Sequence, residues 1–261
     1  MKNAIKKILP RPLLYLYRFL RIPKDARSVL SFLFHSDYRI SFYQRFKIVK
    51  MLYVISEHVP CVHTQHEMLA VIGAILSFSP ESQGCVVEAG SFKGGSGAKL
   101  SLACKLTRRR LILFDSFEGI PESEDSHDRN IYGGKAFFKS GSYCGTLEEV
   151  QNNISKYGEL GVCEMVKGWF EDTMPEFREP VIVAYLDVDL ASSTRTCLKY
   201  LYPRIVPGGT LYSQDGHLHA IIELFRNSDF WEGELNSQKP PVEGLGKQKL
   251  IKVIKPDHSG S

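Results

Sequence analysis

Carboxylates and a glycine turn at the ends of apolar segments are the residues of this sequence best suited to chemistry. Glu88 ends one apolar run and is followed closely by Gly90, and Asp115 ends the next run. Asp187 and Asp215 end two later runs. If these runs are parallel strands, their carboxyl ends open onto one crevice, which is where such sheets bind ligands. We therefore expect these side chains to line one binding site.

The stretch from Cys85 to Gly97 predicts a strand, a tight turn and the start of a helix, which together can form a cofactor pocket. Two phosphate-binding motifs do not fit it. A dinucleotide fingerprint needs glycine where Phe92 stands, because the backbone approaches the pyrophosphate there. A P-loop needs lysine where Ser96 stands. A cofactor with a ribose and an amino-acid tail remains, and S-adenosylmethionine fits that description.

In this interpretation the first two carboxylates and the glycine have separate roles. Glu88 would lie near the ammonium group of the cofactor, and the Gly90 turn would admit its methionine part. Asp115 would accept both ribose hydroxyls, as a carboxylate does at this place in dinucleotide folds. The structural alternatives are a capping or surface role for Glu88 and a turn-forming role for Asp115.

The elements that position these residues alternate between strand and helix. Such alternation predicts an α/β fold with a parallel sheet and helices on both faces. The predicted strands are 85–89, 111–115, 162–167, 181–187, 210–214 and 249–254, and the predicted helices are 38–58, 65–78, 95–106, 147–157, 194–202 and 218–227.

A long insertion at 118–146 separates the second strand from the next helix. Such a loop is typical of a lid or of a disordered segment. Its aromatic residues favour a lid that closes on the substrate and sets its identity; they are Tyr132, Phe137, Phe138 and Tyr143.

Charge is concentrated at the N-terminus. The net charge is +4, but residues 1–50 carry twelve Lys or Arg and two Asp, a net of +10, which leaves −6 for the remainder. We expect a basic helical N-terminal extension over 1–60 and a single cofactor-binding domain over 61–261. The extension would contact an anionic membrane, or pack on the domain or on a second copy in a homodimer. No nucleic-acid motif follows the bases.

Two further features of the composition bound the class of protein. The six cysteines form no CxxC pair, so we interpret them as core residues rather than as a disulfide or zinc framework. The chain shows no signal peptide of the usual form and no apolar run of about 18 residues, so we expect a soluble, cytoplasmic protein, peripheral to the membrane if the N-terminus binds it.

Several blocks, in order, resemble the macrocin (TylF-type) O-methyltransferase family across roughly residues 84–215. These are class I S-adenosylmethionine-dependent enzymes, some of which methylate sugar hydroxyls of antibiotics. The resemblance implies a Rossmann-like fold with a mostly parallel, seven-stranded sheet. The matching blocks are Glu88-Ala-Gly-Ser-Phe-Lys-Gly-Gly-Ser, Leu113-Phe-Asp-Ser-Phe-Glu-Gly-Ile-Pro, Lys167-Gly-Trp-Phe-Glu-Asp-Thr-Met-Pro and Leu186-Asp-Val-Asp-Leu, then Ser193-Thr and Leu201-Tyr-Pro.

The resemblance also implies roles for individual residues. The turn at Trp169 and Phe170 would flank the adenine, although Trp169 could instead be a core aromatic. The residues implied to bind the cofactor are Glu88, Gly90, Ser91, Asp115, Ser116, Trp169 and Phe170.

A sugar hydroxyl is a poor nucleophile and needs a base, a metal ion or both. Asp187 and Asp215 are suited to magnesium, and the resemblance implies that Asp187 doubles as the base. The chain departs from the family pattern beside Asp215, where Gly216 offers no ligand. His217 could therefore act as a base without a metal, or be only a polar residue at a helix start.

The expected function is transfer of a methyl group to a hydroxyl of a sugar or glycosylated natural product. The reduced ligand set beside Asp215 keeps a second interpretation open, a protein of this fold that binds but does not catalyse. A nicotinamide oxidoreductase is disfavoured by Phe92.

Overall fold

Strand β1 (Cys85–Ala89), all of whose residues are buried, lies inside a six-stranded sheet. The computed structural model describes residues 23–123, 125, 129–135 and 138–256. The strand order is β3-β2-β1-β4-β5-β6; β1 to β5 pair in parallel and β6 runs antiparallel to β5. The other strands are β2 (Leu111–Asp115), β3 (Cys163–Lys167), β4 (Val181–Leu186), β5 (Ile205–Ser213) and β6 (Ile251–Ile254).

The mostly parallel α/β sheet is confirmed, but the implied count of seven strands is not reached within the described residues. Where a further strand would pair with β6, only an isolated bridge joins Glu243 to Lys252. Pro240 and Pro241 precede that bridge. Proline has no N–H to donate to a ladder, so a longer pairing cannot extend through them.

Helices cover both faces of the sheet. Helices α1 to α5 share one buried core with Val86 and Leu113, and α7 and α8 share the other with Val87 and Phe114. The helices are α1 (Pro23–Phe34), α2 (Phe42–His58), α3 (Gln65–Ser77), α4 (Gly95–Thr107), α5 (Leu147–Tyr157), the short α6 (Phe170–Thr173), α7 (Ala191–Leu201) and α8 (His219–Arg226).

The described part of the predicted N-terminal extension packs on the domain. Leu52 and Ile55 of α2 are fully buried, and Val29 and Phe32 of α1 lie in the same core. Residues 1–22, which include much of the basic segment, lie outside the described residues. Among the described helices, none is long and apolar enough to cross a bilayer.

Capping boxes begin both α2 and α3. Ser41 caps α2 and Thr64 caps α3; in each case the cap side chain accepts from the third helical N–H, and that residue's side chain accepts from the cap N–H. Each such cap contributes about 1 kcal/mol. The Thr64 cap ends the loop that begins at Val59. This loop contacts the start of α4, where a Cβ on Gly95 would lie 3.0 Å from Cys61 Cβ.

The insertion after β2 crosses the carboxyl edge of the sheet. Its ends are joined, because the Ile120 N–H donates to the Ser142 carbonyl over 2.9 Å. Its middle contacts the segment that follows β5, where the Ile131 N–H donates to the His217 carbonyl over 3.0 Å. Phe137 lies outside the described residues. That the insertion acts as a lid stays a prediction.

Candidate functional site

A cavity of about 360 Å³ opens at the carboxyl ends of β1, β2, β4 and β5. It brings together nearly all of the residues that the sequence singles out. Those that line it are Gly90, Ser91, Asp115, Ser116, Trp169, Phe170, Asp187, Asp215 and His217.

The turn at Gly90 packs the end of β1 against the residue that follows β4, Asp187. Gly90 has a φ of +85°, and a Cβ there would overlap the carbonyl oxygen of Asp187. Only glycine allows both the left-handed backbone and this close approach. The turn therefore sets the distance between the end of β1 and Asp187, which follows β4.

Asp115 holds the turn and keeps acceptor capacity. Its Oδ2 accepts from the Ser91 N–H over 2.6 Å, and its Oδ1 accepts from the Phe117 N–H over 2.7 Å. Each carboxylate oxygen can accept a second hydrogen bond. Burial raises the pKa of Asp115, although these backbone N–H groups oppose the rise. The geometry suits a ligand with two adjacent hydroxyls.

Two serines of the cavity wall differ in how their hydroxyls are used. Ser91 is 2% exposed and its Oγ has no hydrogen-bond partner within the described part of the chain. The Ser116 hydroxyl instead donates to the Gly119 carbonyl over 3.3 Å and accepts from the Glu118 N–H over 3.1 Å. Ser116 thus shapes the turn, whereas the Ser91 hydroxyl is buried in the wall without a partner.

Trp169 and Phe170 form an apolar side of the cavity. Trp169 precedes the short helix α6, and the Gly168 N–H before it donates to the Asp115 carbonyl over 3.0 Å. Both side chains are half-buried. This hydrogen bond keeps the aromatic side next to Asp115, as a site for a ribose and an attached base would require.

Glu88 is placed differently from the prediction, because it lies behind the cavity wall rather than in it. Successive strand residues point to opposite faces, and the Glu88 carboxyl extends towards α4, where Gly97 leaves room for it. It is fully buried, and neither oxygen has a partner within ordinary hydrogen-bond geometry among the described residues, although the nearby Ser96 hydroxyl favours the charged form. Burial raises the pKa of Glu88 to about 8, and the nearby Asp187 and Asp115 charges add to the rise.

We expect Glu88→Gln to flatten the dependence of stability on pH. With its folded-state pKa near 8 and an ordinary unfolded value, the native state holds the extra proton between these values, so stability falls as pH rises from about 5 to 8. Each unit of pKa shift corresponds to about 1.4 kcal/mol. Urea unfolding at pH 5, 6.5 and 8 should show the variant gaining on the parent protein as pH rises. Exposed Glu148→Gln is the control; equal slopes in all three proteins would contradict the prediction.

Three carboxylates, rather than the expected two, meet at the ends of β4 and β5. Asp187, Asp189 and Asp215 place one oxygen each within 4.8 Å of one another. Asp189 adopts a φ of +63°, which turns the chain after β4 so that its side chain joins the other two. Burial raises the pKa of all three, and Asp215 and Asp187 repel each other's charge. Crowded oxygen ligands of this kind suit a hard divalent cation.

The backbone and neighbouring side chains orient this cluster. Asp215 Oδ2 accepts from the N–H groups of Val188 and Asp189 over 3.2 and 3.0 Å. The Tyr185 hydroxyl donates to Asp187 Oδ2 over 3.3 Å. The Gln214 Oε1 lies 3.4 Å from the same hydroxyl. Asp189 therefore supplies the additional carboxylate near Asp215 that Gly216 cannot offer.

His217 and Lys249 flank the cluster. Burial, together with the charge of Lys249, lowers the pKa of His217 to about 4, so the imidazole is neutral. Its Nδ1 has no partner in the described part of the chain, and its ring lies 6.0 Å from that of Tyr132 in the insertion. His219, by contrast, is exposed. The Lys249 charge partly opposes the rise in the pKa of the three aspartates.

Sequence reasoning missed several residues of the cavity wall. Lys249 precedes β6 and His63 lies between α2 and α3, so only the assembled fold brings them to β5 and α4. Asp189 had a signal in its spacing from Asp187, since both end the same strand. Ser96 was considered only as an obstacle to a P-loop.

The fold and the site define a Rossmann-like protein of the class I methyltransferase type, with its cavity at the strand ends. Among the solved structures that share this fold are the O-methyltransferase NovP (TM-score 0.67, 19% identity, 82% of this chain and 99% of that one) and the calicheamicin methyltransferase CalS11 (TM-score 0.53, 16% identity, 81% and 92%). Residues 74–235 match the model of the TylF macrocin-O-methyltransferases. The chain belongs to this family, which confirms the resemblance drawn from its motifs.

Two curated relatives cover part of the chain. A tetracenomycin-C rhamnosyl 4'-O-methyltransferase from Streptomyces olivaceus is 36% identical over 62% of this chain and 64% of its own. Mycinamicin III 3''-O-methyltransferase from Micromonospora griseorubida is 32% identical over 54% and 58%. The chain thus spans less than two thirds of the length of these relatives.

Proposed function

We propose that this chain is an S-adenosylmethionine-dependent O-methyltransferase that methylates a hydroxyl of a sugar or glycosylated natural product. The observation that carries the proposal is one cavity with Asp115 at the end of β2 and the three-aspartate cluster at the ends of β4 and β5. The first suits a ribose and the second an activated hydroxyl, with β1 between them. The relatives, named for transfer to sugars of tetracenomycin and mycinamicin, support the substrate class.

The chain offers a fitting partner for each part of the cofactor. Ser91 has an unpartnered buried hydroxyl, Asp115 has spare acceptor capacity, and Trp169 and Phe170 provide an apolar side for the adenine. When bound, S-adenosylmethionine supplies a methyl group on a positively charged sulfur. The protein would hold this group beside the aspartate cluster and exclude water from it.

Asp187 is the proposed base. It would take the proton of the acceptor hydroxyl as the oxygen bonds to the methyl carbon and the carbon–sulfur bond breaks. Asp187 lines the cavity, and its ionised carboxylate, which a bound magnesium ion would favour, can accept a proton. His217, whose pKa is lowered to about 4, is a weaker base than an ordinary imidazole.

Magnesium is part of the proposal because the donor set fits it. Asp187, Asp189 and Asp215 would hold the ion through carboxylate oxygens. A bound magnesium ion would lower the pKa of the acceptor hydroxyl. The third carboxylate also weakens the alternative of a catalytically inactive binding protein, which rested on a depleted ligand set.

Methyl transfer is tested with S-adenosylmethionine that carries a deuterated methyl group and a panel of glycosylated natural products. Mass spectrometry should find the label on a sugar oxygen, with one S-adenosylhomocysteine formed for each product. Label on nitrogen or carbon would contradict the proposed reaction.

We also propose that the enzyme is cytoplasmic and contacts an anionic membrane through an aromatic patch on α1 and α2. Exposed bases, Arg39, Lys47 and Lys50, accompany the patch and suit anionic head groups. The patch consists of Leu30, Phe34, Phe42, Tyr43 and Phe46, between 49% and 73% exposed.

Phe34→Ser, Tyr43→Ser and Phe46→Ser together are expected to weaken sedimentation of the full chain with phosphatidylglycerol vesicles by about 10-fold or more, because buried aromatic area is lost. Tyr132→Ser, at an exposed aromatic outside the patch, is the control. Equal sedimentation with neutral vesicles would contradict the preference for anionic head groups. A dimer that the triple variant abolishes would show that the patch binds a second copy of the chain instead of a membrane.

A further inference from the structure

A buried lysine without an anion lies behind the cavity wall. Lys99, in the second turn of α4, is 0% exposed. Its Nζ lies 2.7 Å from Ser56 Oγ, 3.0 Å from His63 Nε2 and 3.6 Å from Cys61 Sγ. No carboxylate among the described residues forms an ion pair with it. Lysine is almost never fully buried unless it is paired. Burial lowers the pKa of Lys99, and the charges of Asp25 and Glu67 oppose this only from beyond ion-pair distance, so no described anion contacts the ammonium.

His63 connects the lysine to the cavity. Because the Lys99 ammonium donates to Nε2, that nitrogen is an acceptor, and the neutral ring carries its proton on Nδ1. Burial and the Lys99 charge lower the pKa of His63 well below its ordinary value, which keeps the ring neutral. His63 and Cys61 both line the cavity. The wall thus presents a donor polarised by a buried cation.

The start of α4 adds further donors at the same place. Gly95 and Ser96 line the cavity, and no side chain caps this helix of 13 residues. Its first N–H groups and its dipole favour an anion. A Cβ on Gly95 would lie 3.0 Å from Cys61 Cβ, so the α2–α3 loop contacts this first turn. Ser91, one turn before the helix, contributes its unpartnered buried hydroxyl.

We propose that Lys99 and His63, together with the first turn of α4, form a carboxylate pocket that anchors the amino-acid tail of S-adenosylmethionine. The inference rests on the proposed function and deepens it. Lys99 acts through His63 and the surrounding field, so it is a positioning residue.

Calorimetric titration of the full chain with two ligands tests the pocket. S-adenosylhomocysteine has the amino-acid tail, whereas 5′-methylthioadenosine has the same nucleoside and sulfur without it. Lys99→Met should weaken binding of S-adenosylhomocysteine by about 10-fold, because hydrogen bonds to a charged group contribute this much or more. Binding of 5′-methylthioadenosine should stay within about 2-fold. Lys105→Met, at an exposed lysine of the same helix, should change neither.

A second variant keeps the test open if Lys99→Met does not fold. His63→Leu should show the same selective loss, because it removes the donor at the wall. Equal weakening of both ligands, or unchanged binding of S-adenosylhomocysteine in a folded variant, would overturn the carboxylate pocket alone. If the parent protein binds neither ligand, the proposed function fails and the pocket fails with it.

Discussion

Asp187→Asn is expected to lower methyl transfer by about 1,000-fold while the affinity for S-adenosylhomocysteine changes by less than about 2-fold. The amide keeps the shape of the side chain but cannot accept the hydroxyl proton. Removing one of three crowded carboxylates also relieves repulsion with Asp215, so we expect the variant to be no less stable than the parent protein. Single-turnover transfer and calorimetric binding measure the two effects separately.

Asp229→Asn, at an exposed aspartate, is the matched control and should keep full activity. If Asp187→Asn retained activity within about 10-fold, a general base worth the usual 100-fold or more would have to lie elsewhere. His217→Ala would then be the variant to measure, since His217 is another proton acceptor in the cavity wall.

Magnesium is expected to stabilise the folded protein and to support turnover. An ion present at 100 times its dissociation constant stabilises by about 2.7 kcal/mol, which for a domain of this size raises the Tm by roughly 5–10 °C. Chelation should lower turnover by about 100-fold or more, because the acceptor hydroxyl loses its activation. Thermal unfolding with and without magnesium measures the first effect independently of catalysis.

Asp215→Asn separates ion binding from charge repulsion. Without metal the variant should unfold at the same or a higher temperature than the parent protein, since repulsion with Asp189 is relieved. It should nevertheless lose most of the response to magnesium. If the parent protein shows no such response and turns over in a chelator, the cluster acts without a metal, with Asp187 or His217 as the base.

The central part of the fold was predictable because buried parallel strands have a strong sequence signal. Strand β4 is a continuous apolar run, β2 is apolar up to Asp115, β1 is apolar except for Glu88, and each ends at or beside a carboxylate. Parallel pairing then places these ends at one edge, so the meeting of Asp115, Asp187 and Asp215 followed from topology alone. Phe92 and Ser96 correctly argued against phosphate-binding loops, as the family match agrees.

The rest depended on directions and distances that the sequence does not encode locally. The alternation of side chains along β1 predicts which face of the sheet Glu88 points to. It does not predict that the cavity lies on neither face and opens at the end of the strand. The left-handed turn at Asp189 brings in the third carboxylate. Lys99 is predictable as a helical residue, yet its burial beside His63 appears only when α2, α3 and α4 pack together.

The central claim, that the cavity binds S-adenosylmethionine, is tested most directly by calorimetric titration of the parent protein with S-adenosylhomocysteine, with NADH as the competing ligand. We expect one bound S-adenosylhomocysteine per chain, clearly weaker binding to Asp115→Asn, and no heat from NADH. No binding of S-adenosylhomocysteine at millimolar concentration, or binding of NADH in its place, would contradict the account.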